Sequence, residues 1–149
     1  KIIFKFRTQS DALYHVIAEH YKHDIYIIKF YLAKHEDDKD RFKMLSGDSD
    51  SIKILNTVIQ ICINIYNRNE QASFGFIGEP KIREKLKLNT TQRYRIYKYI
   101  TINLFGTNRF KHFVNKEKNS YLLVNKSNSD CEKIKDEAEL MFTKLYPDW

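Results

Sequence analysis

Cysteine, proline and glycine are scarce in this chain, and each scarcity excludes something. Two cysteines, Cys62 and Cys131, stand far apart among 149 residues. They cannot build the disulfide framework of a small secreted domain, and Cys62, inside an apolar run, reads as a small core residue. Two prolines and four glycines exclude a collagen-like or disordered chain. No linker rich in Ser, Gly or Pro and no fixed-period repeat interrupts the sequence, so a single domain over residues 1–149 is expected. No stretch reaches the ~18 apolar residues of a membrane helix. The first residues lack the charged, apolar and cleavage regions of a signal peptide. The expectation is a cytoplasmic protein without a membrane partner. Walker loops, dinucleotide fingerprints, GxSxG elbows and HExxH pairs are missing as well, so no cofactor is expected.

What the chain does have is apolar mass and positive charge. Apolar residues make up 42% and aromatics 14%, enough for a real core. The net charge is +7. A chain rich in Lys, Ile and Asn is often basic through the bias of an AT-rich genome alone, so the distribution says more than the total. Residues 81–118 carry eleven Lys or Arg against two Glu, a net +9, whereas residues 130–149 carry three Lys against six Asp or Glu, a net −3. About a quarter of the chain therefore holds the excess, as an electrostatic footprint for a polyanion would. Nucleic acid, RNA rather than duplex DNA, is the expected partner, with an acidic protein as the alternative.

Hydrophobic periodicity gives the elements. Lys1–Phe6 alternates weakly, Leu13–His20 is rich in aromatic and β-branched residues, and Asp24–His35 is the clearest strand, its imperfect alternation allowing a bulge. An acidic loop at Glu36–Asp40 turns the chain, and Arg41–Leu45 is expected to pair back as a short strand. Ser51–Asn67, preceded by the capping candidates Asp48 and Asp50, reads as a heavily buried helix. Ser73–Ile77 returns as a strand in which Gly75 admits close approach by a neighbour. Lys81–Leu88 reads as a short helix. Asn89–Gly106 reads as a basic helix with Gly106 at its end. Phe110–Asn115 and Ser120–Asn125 read as a hairpin, and Asp130–Leu145 as an amphipathic helix. The fold class expected is α+β. A mostly antiparallel sheet of about five strands packs in two layers against the buried helix, with the basic and C-terminal helices alongside.

Arg93 falls in the middle of the apolar face made by Ile96, Tyr97, Ile100 and Leu104, so it must be paired, snorkelled or bound to a ligand. A structural pairing is the expectation for it, while Arg95 and Lys98 point elsewhere. For a nucleic-acid surface the expected contacts are Arg83, Arg93, Arg95, Lys98, Arg109 and Lys111, since guanidinium groups suit bidentate anion recognition. Two other functions fit the same residues. A metal-independent ribonuclease of the small bacterial toxin kind needs only a base, an acid and cationic stabilisation, which Arg93, Arg95, Tyr97 and His112 supply. An antitoxin, immunity or phage-interaction protein would instead turn its basic face to an acidic protein. The ten tyrosines and ten phenylalanines read mainly as core and only secondarily as a stacking platform. His15, Glu19, His20 and His23 read as surface groups and Glu36, Asp37, Asp38 and Asp40 as a charged hairpin tip. No metal is expected.

The succession GDSDSIKILNTVIQICINIY, SFGFIG, TQRYRIYKYI and SYLLVNK, over roughly residues 48–126, resembles a family of small uncharacterised bacterial proteins of Bacteroidetes type, classed as a domain of unknown function. The family's pattern of a strand ending in Gly and a Thr-x-Arg-x-Arg-x-Tyr-Arg-like helix start falls on Gly78, Thr91, Arg93, Arg95, Tyr97 and, with Lys for Arg, Lys98. This chain departs from it in placing Glu79–Thr90 between the two parts. The resemblance implies the α+β fold and points to Arg93 and Arg95 without implying a reaction.

Overall fold

The alternating N-terminal segments form a meander. In the computed structural model, which describes residues 1–39, 41–42, 51–77, 106–115 and 120–146, β1 (Ile2–Arg7), β2 (Leu13–His20) and β3 (Ile25–Leu32) pair antiparallel in sequence order. Helix α1 (Ser51–Arg68) then carries the chain back so that β4 (Ser73–Ile77) lies parallel to β3. A hairpin of β5 (Phe110–Asn115) and β6 (Ser120–Asn125) adds β6 beside β4, and α2 (Cys131–Leu145) closes the described chain. The sheet order is β1-β2-β3-β4-β6-β5. The α+β class expected from the sequence stands. The sheet is mostly antiparallel, as expected, with six strands; its one parallel pairing, β3 with β4, follows from an α1 crossover long enough to deliver a parallel strand. Arg41 and Phe42 lie in a turn, not in the expected short strand, and residues 43–45 are outside the described ones.

Both faces of the sheet are covered, so the arrangement has three layers where two were expected. On one face Tyr14, Val16, Tyr26, Ile28, Phe30, Phe74, Phe76, Tyr121 and Leu123 pack against Ile54, Leu55, Val58, Ile61, Cys62 and Ile65 of α1. Each such side chain, removed from water, contributes roughly 1.5–3 kcal/mol before entropy is counted. On the other face Ile25, Ile27, Leu122 and Val124 meet Ile134, Ala138 and Phe142 of α2. Double coverage explains the sequence of β3. A strand buried on both sides needs apolar residues at odd and even positions alike, so its alternation is blurred without a bulge. The register from Tyr14↔Leu32 to His20↔Tyr26 runs unbroken.

Gly75 lies where α2 crosses the sheet. A Cβ built there would sit 2.6 Å from Ile27 Cδ1 and 3.2 Å from Phe142 Cζ, so the bare backbone is what lets the Phe142 ring descend onto β4. Asp130 caps α2, its side chain accepting from the Lys133 amide at 3.0 Å. The turn between β2 and β3 holds His23 and Asp24 in the left-handed region, at φ 58° and 51°. That conformation costs non-glycine residues energy. It is secured by bonds from His20 and Asn69 to Asp24 and from His23 to Glu137 of α2. Among the described residues no helix is long and apolar enough to cross a membrane.

One charge interrupts the buried strand β3. Lys29 donates to Glu19 Oε2 on β2 at 2.8 Å, and the hydroxyls of Tyr21 and Tyr146 reach the same oxygen at 2.9 and 3.3 Å. The Lys29 ammonium also lies 4.3 Å from the centroid of the Tyr146 ring. Burial pushes the Glu19 carboxyl up, but the hydrogen bond and charge of Lys29, with the two hydroxyls, outweigh it, and the group sits below the ordinary value of 4.5. Burial and the neighbouring carboxylate push the Tyr146 hydroxyl far up, so it stays a donor. A depressed carboxyl stabilises the fold above its unfolded value and loses that contribution as pH falls through the folded one. Stability should therefore decline below about pH 4.5, and Glu19→Gln should flatten that part of the curve. Urea unfolding of both proteins at several acidic pH values checks this. Parallel curves would show that the Glu19 cluster is not what the acid limb reports.

Candidate nucleic-acid interface

Of the six residues expected to contact nucleic acid, Arg83, Arg93, Arg95 and Lys98 lie outside the described residues, as does Tyr97. The helices expected over Lys81–Leu88 and Asn89–Gly106 lie there too, except that Gly106 itself is described, in a turn with φ +60°. Arg109, Lys111 and His112 are described, and they stand in three different situations.

Arg109 opens β5. It is exposed, and its guanidinium lies 6.0 Å from the centroid of the half-buried Tyr66 ring in the last turn of α1. Its carbonyl accepts from the Lys126 amide at 2.9 Å, which ties the start of β5 to the residue after β6. This end of the sheet is also where α1 finishes. The exposed Arg68, Arg109 and Lys126 therefore share one end of the fold with Tyr66, opposed there by Glu70. Asn125 holds this corner together. It is 3% exposed. Its Nδ2 donates to the carbonyls of Glu70 and Ala72 at 2.6 and 3.3 Å, and its Oδ1 accepts from the Ser127 amide and hydroxyl at 3.0 and 2.8 Å. The backbone amide of Asn125 donates to Ser73 Oγ at 3.0 Å. A loop after a helix, the start of a central strand and the end of its neighbour are thus fixed by one amide side chain.

Lys111 points to the opposite face of β5. Its ammonium donates to Glu132 Oε1 of α2 at 2.6 Å and lies 5.4 Å from the Phe113 ring. The bond to Glu132 raises its pKa, so the cation is kept but already faces a carboxylate. The pair is exposed, and an anion of higher charge density competes for Lys111 in water with little to overcome.

His112 is held at both ring nitrogens. Nε2 is 2.6 Å from the Gly106 carbonyl and Nδ1 is 2.7 Å from the buried Tyr121 hydroxyl. A carbonyl only accepts, so Nε2 carries a proton, and a neutral ring then accepts at Nδ1 from Tyr121. A general base needs a nitrogen within reach of the substrate proton. In this arrangement neither nitrogen faces outward, and the ring serves to fasten Gly106 to the sheet.

Among the described residues most aromatic side chains are core. Tyr14, Tyr26, Tyr31, Tyr121, Phe30, Phe74, Phe76, Phe110 and Phe142 are buried, and Tyr66 is the half-exposed ring beside a guanidinium at the basic corner. His15 and Glu19 share a face of β2, but His15, expected at the surface, is buried, its ring bonding to the Tyr31 hydroxyl at 3.2 Å, and Glu19 bonds to Lys29. Among the described residues no group of three or more His, Cys, Asp or Glu is placed to hold a metal ion. Arg68, Tyr66 and Lys126 lie outside the basic segment in the sequence; the sheet brings Lys126 to Arg109, and Tyr66 packs beside the same guanidinium. Comparison with known protein families, curated protein sequences and solved structures finds no match for this chain.

Proposed function

We propose that the protein is a binding module for single-stranded nucleic acid, RNA before duplex DNA, with a contact surface that runs through Lys81–Lys118 and takes in the corner at Arg68, Arg109 and Lys126. The observation that carries this is the uneven charge: a net +9 in residues 81–118 beside a net −3 in residues 130–149. The Arg109–Tyr66 contact supports single strands over duplex, because a ring with an adjacent guanidinium offers both a stacking face and a phosphate donor. Arg93 and Arg95 supply the bidentate donors in the centre of the segment, with Arg83 and Lys98 beside them and Lys111 at its end.

Filter binding to mixed RNA and DNA strands tests the proposal. Retention is expected at low salt and should fall steeply as salt rises. Arg95→Ala and Arg109→Ala should each weaken binding across sequences and reduce the salt slope by about one. Absence of retention at low salt ends the proposal. Cleavage of the RNA without added metal would replace it with the ribonuclease reading on Arg93, Arg95, Tyr97 and His112, for which His112 would first have to leave Gly106 and Tyr121. A co-purifying acidic protein without nucleic acid would replace it with an interaction module.

A further inference from the structure

Among the described residues, strand β1 lies at one edge of the sheet, with four strands between it and β5 at the other edge. Along an edge strand, alternate backbone N–H and C=O groups point away from the sheet without a ladder partner. Proteins commonly guard such edges with proline, a bulge or a very short strand. Strand β1 has none of these; its guard is charge, the exposed Lys5 and Arg7, a device such edges also use. It is six residues long, IIFKFR, and its register with β2 runs unbroken from Ile2↔Ala18 to Arg7↔Leu13. Ile2 and Ile3 are 44% and 52% exposed, and they point to opposite faces. Phe4 and Phe6 are half-buried, with Phe6 stacked on Tyr14 at 5.5 Å. One side of the margin therefore presents Ile2, Phe4 and Phe6. The other presents Ile3, Lys5 and Arg7.

Charge decides what fits there. The strand holds no acidic residue, and Lys1 precedes it. The nearest carboxylate in sequence is Asp11 in the following turn, 3.1 Å from Arg7 in an exposed pair. A second copy laid along the same edge would bring the Lys5 and Arg7 side chains of one protomer beside the basic residues of the other, and like charges facing each other across strands destabilise the pairing. A segment with carboxylates at alternate positions has the opposite sign where β1 is basic and leaves its other side chains to cover Ile2, Phe4 and Phe6.

We infer that the β1 edge takes up an extended acidic segment of a partner protein as a seventh strand. The backbone ladder supplies affinity, and the Lys5 and Arg7 side chains select for carboxylates on one face. The inference does not rest on the proposed nucleic-acid function.

The test titrates a synthetic peptide alternating valine and glutamate into isotope-labelled protein, followed by the backbone amides of Ile2–Arg7 in NMR spectra. Saturable shifts confined to β1 and β2 are expected, weakening as salt rises. A peptide with lysine in place of glutamate should bind at least roughly tenfold more weakly. A proline in the middle of the acidic peptide should abolish binding, because it removes a ladder donor. Lys5→Glu combined with Arg7→Glu, both at exposed positions, should reverse the preference between the two peptides. The comparison on the unaltered protein decides the matter even if that variant folds poorly. Four results would each overturn the inference: β1 amides unmoved at millimolar acidic peptide, equal binding of both peptides, β1 shifts that follow protein concentration alone and so report a second copy, or displacement of the peptide by a single-stranded oligonucleotide.

Discussion

Phe142→Ala should destabilise the protein by about 3–5 kcal/mol, lowering the melting temperature by roughly 6–20 °C for a chain of this length. The ring is 2% exposed and packs with Ile27, Leu122, Val124, Ile134 and Ala138. The cost belongs at the upper end because the floor beneath the ring is Gly75, which has no side chain to move into the space. The complementary change, Gly75→Ala, places a methyl group 2.6 Å from Ile27 Cδ1 and 3.2 Å from Phe142 Cζ. The tip of Ile27 can rotate away, so about 1–3 kcal/mol is expected. In the double variant the contact with Phe142 is gone and only the one with Ile27 remains. The two losses should then sum to less than their separate values, with a coupling of about 0.5–3 kcal/mol. Chemical unfolding of the wild type, the two single variants and the double variant measures that coupling. Simple additivity would mean that the ring does not rest on Gly75.

The second large effect belongs to Asn125. Asn125→Ala should cost about 2–6 kcal/mol, since it leaves the Glu70 and Ala72 carbonyls short of a donor in a part-buried corner at about 1–3 kcal/mol each. Asn125→Asp preserves the shape and the acceptor for Ser127 but turns a carboxylate oxygen toward those carbonyls. It should be at least as damaging at neutral pH and recover in part on acidification, when a protonated carboxyl can donate. This residue connects stability to the proposed function, because the corner it holds carries Arg68, Arg109 and Lys126. Both variants should therefore lose affinity for single-stranded RNA even at temperatures where they remain folded. Melting curves together with low-salt filter binding separate the two effects. Full RNA affinity in a folded Asn125→Ala protein would take the corner out of the binding surface.

Much of the architecture was legible in the sequence, and the reason is local. The strands Leu13–His20, Ser73–Ile77, Phe110–Asn115 and Ser120–Asn125 occupy the residues that their composition and flanking turns marked out. The long helix ends one residue later than expected, at Arg68, and Asp130 caps the last helix rather than lying in it. What local patterns do not carry is the relation between distant segments. The parallel pairing of β3 with β4 leaves no mark on either strand alone. The apolar stripe of α2 does not say which sheet face it covers. One signal was present and pointed to the third layer: Ile25–Leu32 is apolar at both parities with a single charge, Lys29, which is the pattern of a strand covered on both sides that needs a partner for its cation. The candidate site was legible as a charge excess and not as a geometry. His112 looked like a proton-transfer group because its neighbours in sequence are basic, while the groups that occupy it, Tyr121 and the Gly106 carbonyl, come from the facing strand and the preceding turn.

The position of β4 has a consequence for how the chain assembles. The strands of the N-terminal meander, and those of the β5–β6 hairpin, are separated by only a few residues along the chain, so each unit forms from neighbouring residues. Strand β4 joins them, and both of its partnerships span long stretches of chain, across α1 to β3 and across the basic segment to β6. Closing such distances costs chain entropy before any contact is gained. Until β4 is seated, the inner margin of Ile25–Leu32 is an open edge of the most apolar strand in the sheet. A ribosome releasing this chain from its N-terminus exposes that edge for as long as it takes to make the helix and strand that cover it. The rate of synthesis between Leu32 and Ile77 thereby sets how long the nascent protein can pair with a neighbour instead of with itself.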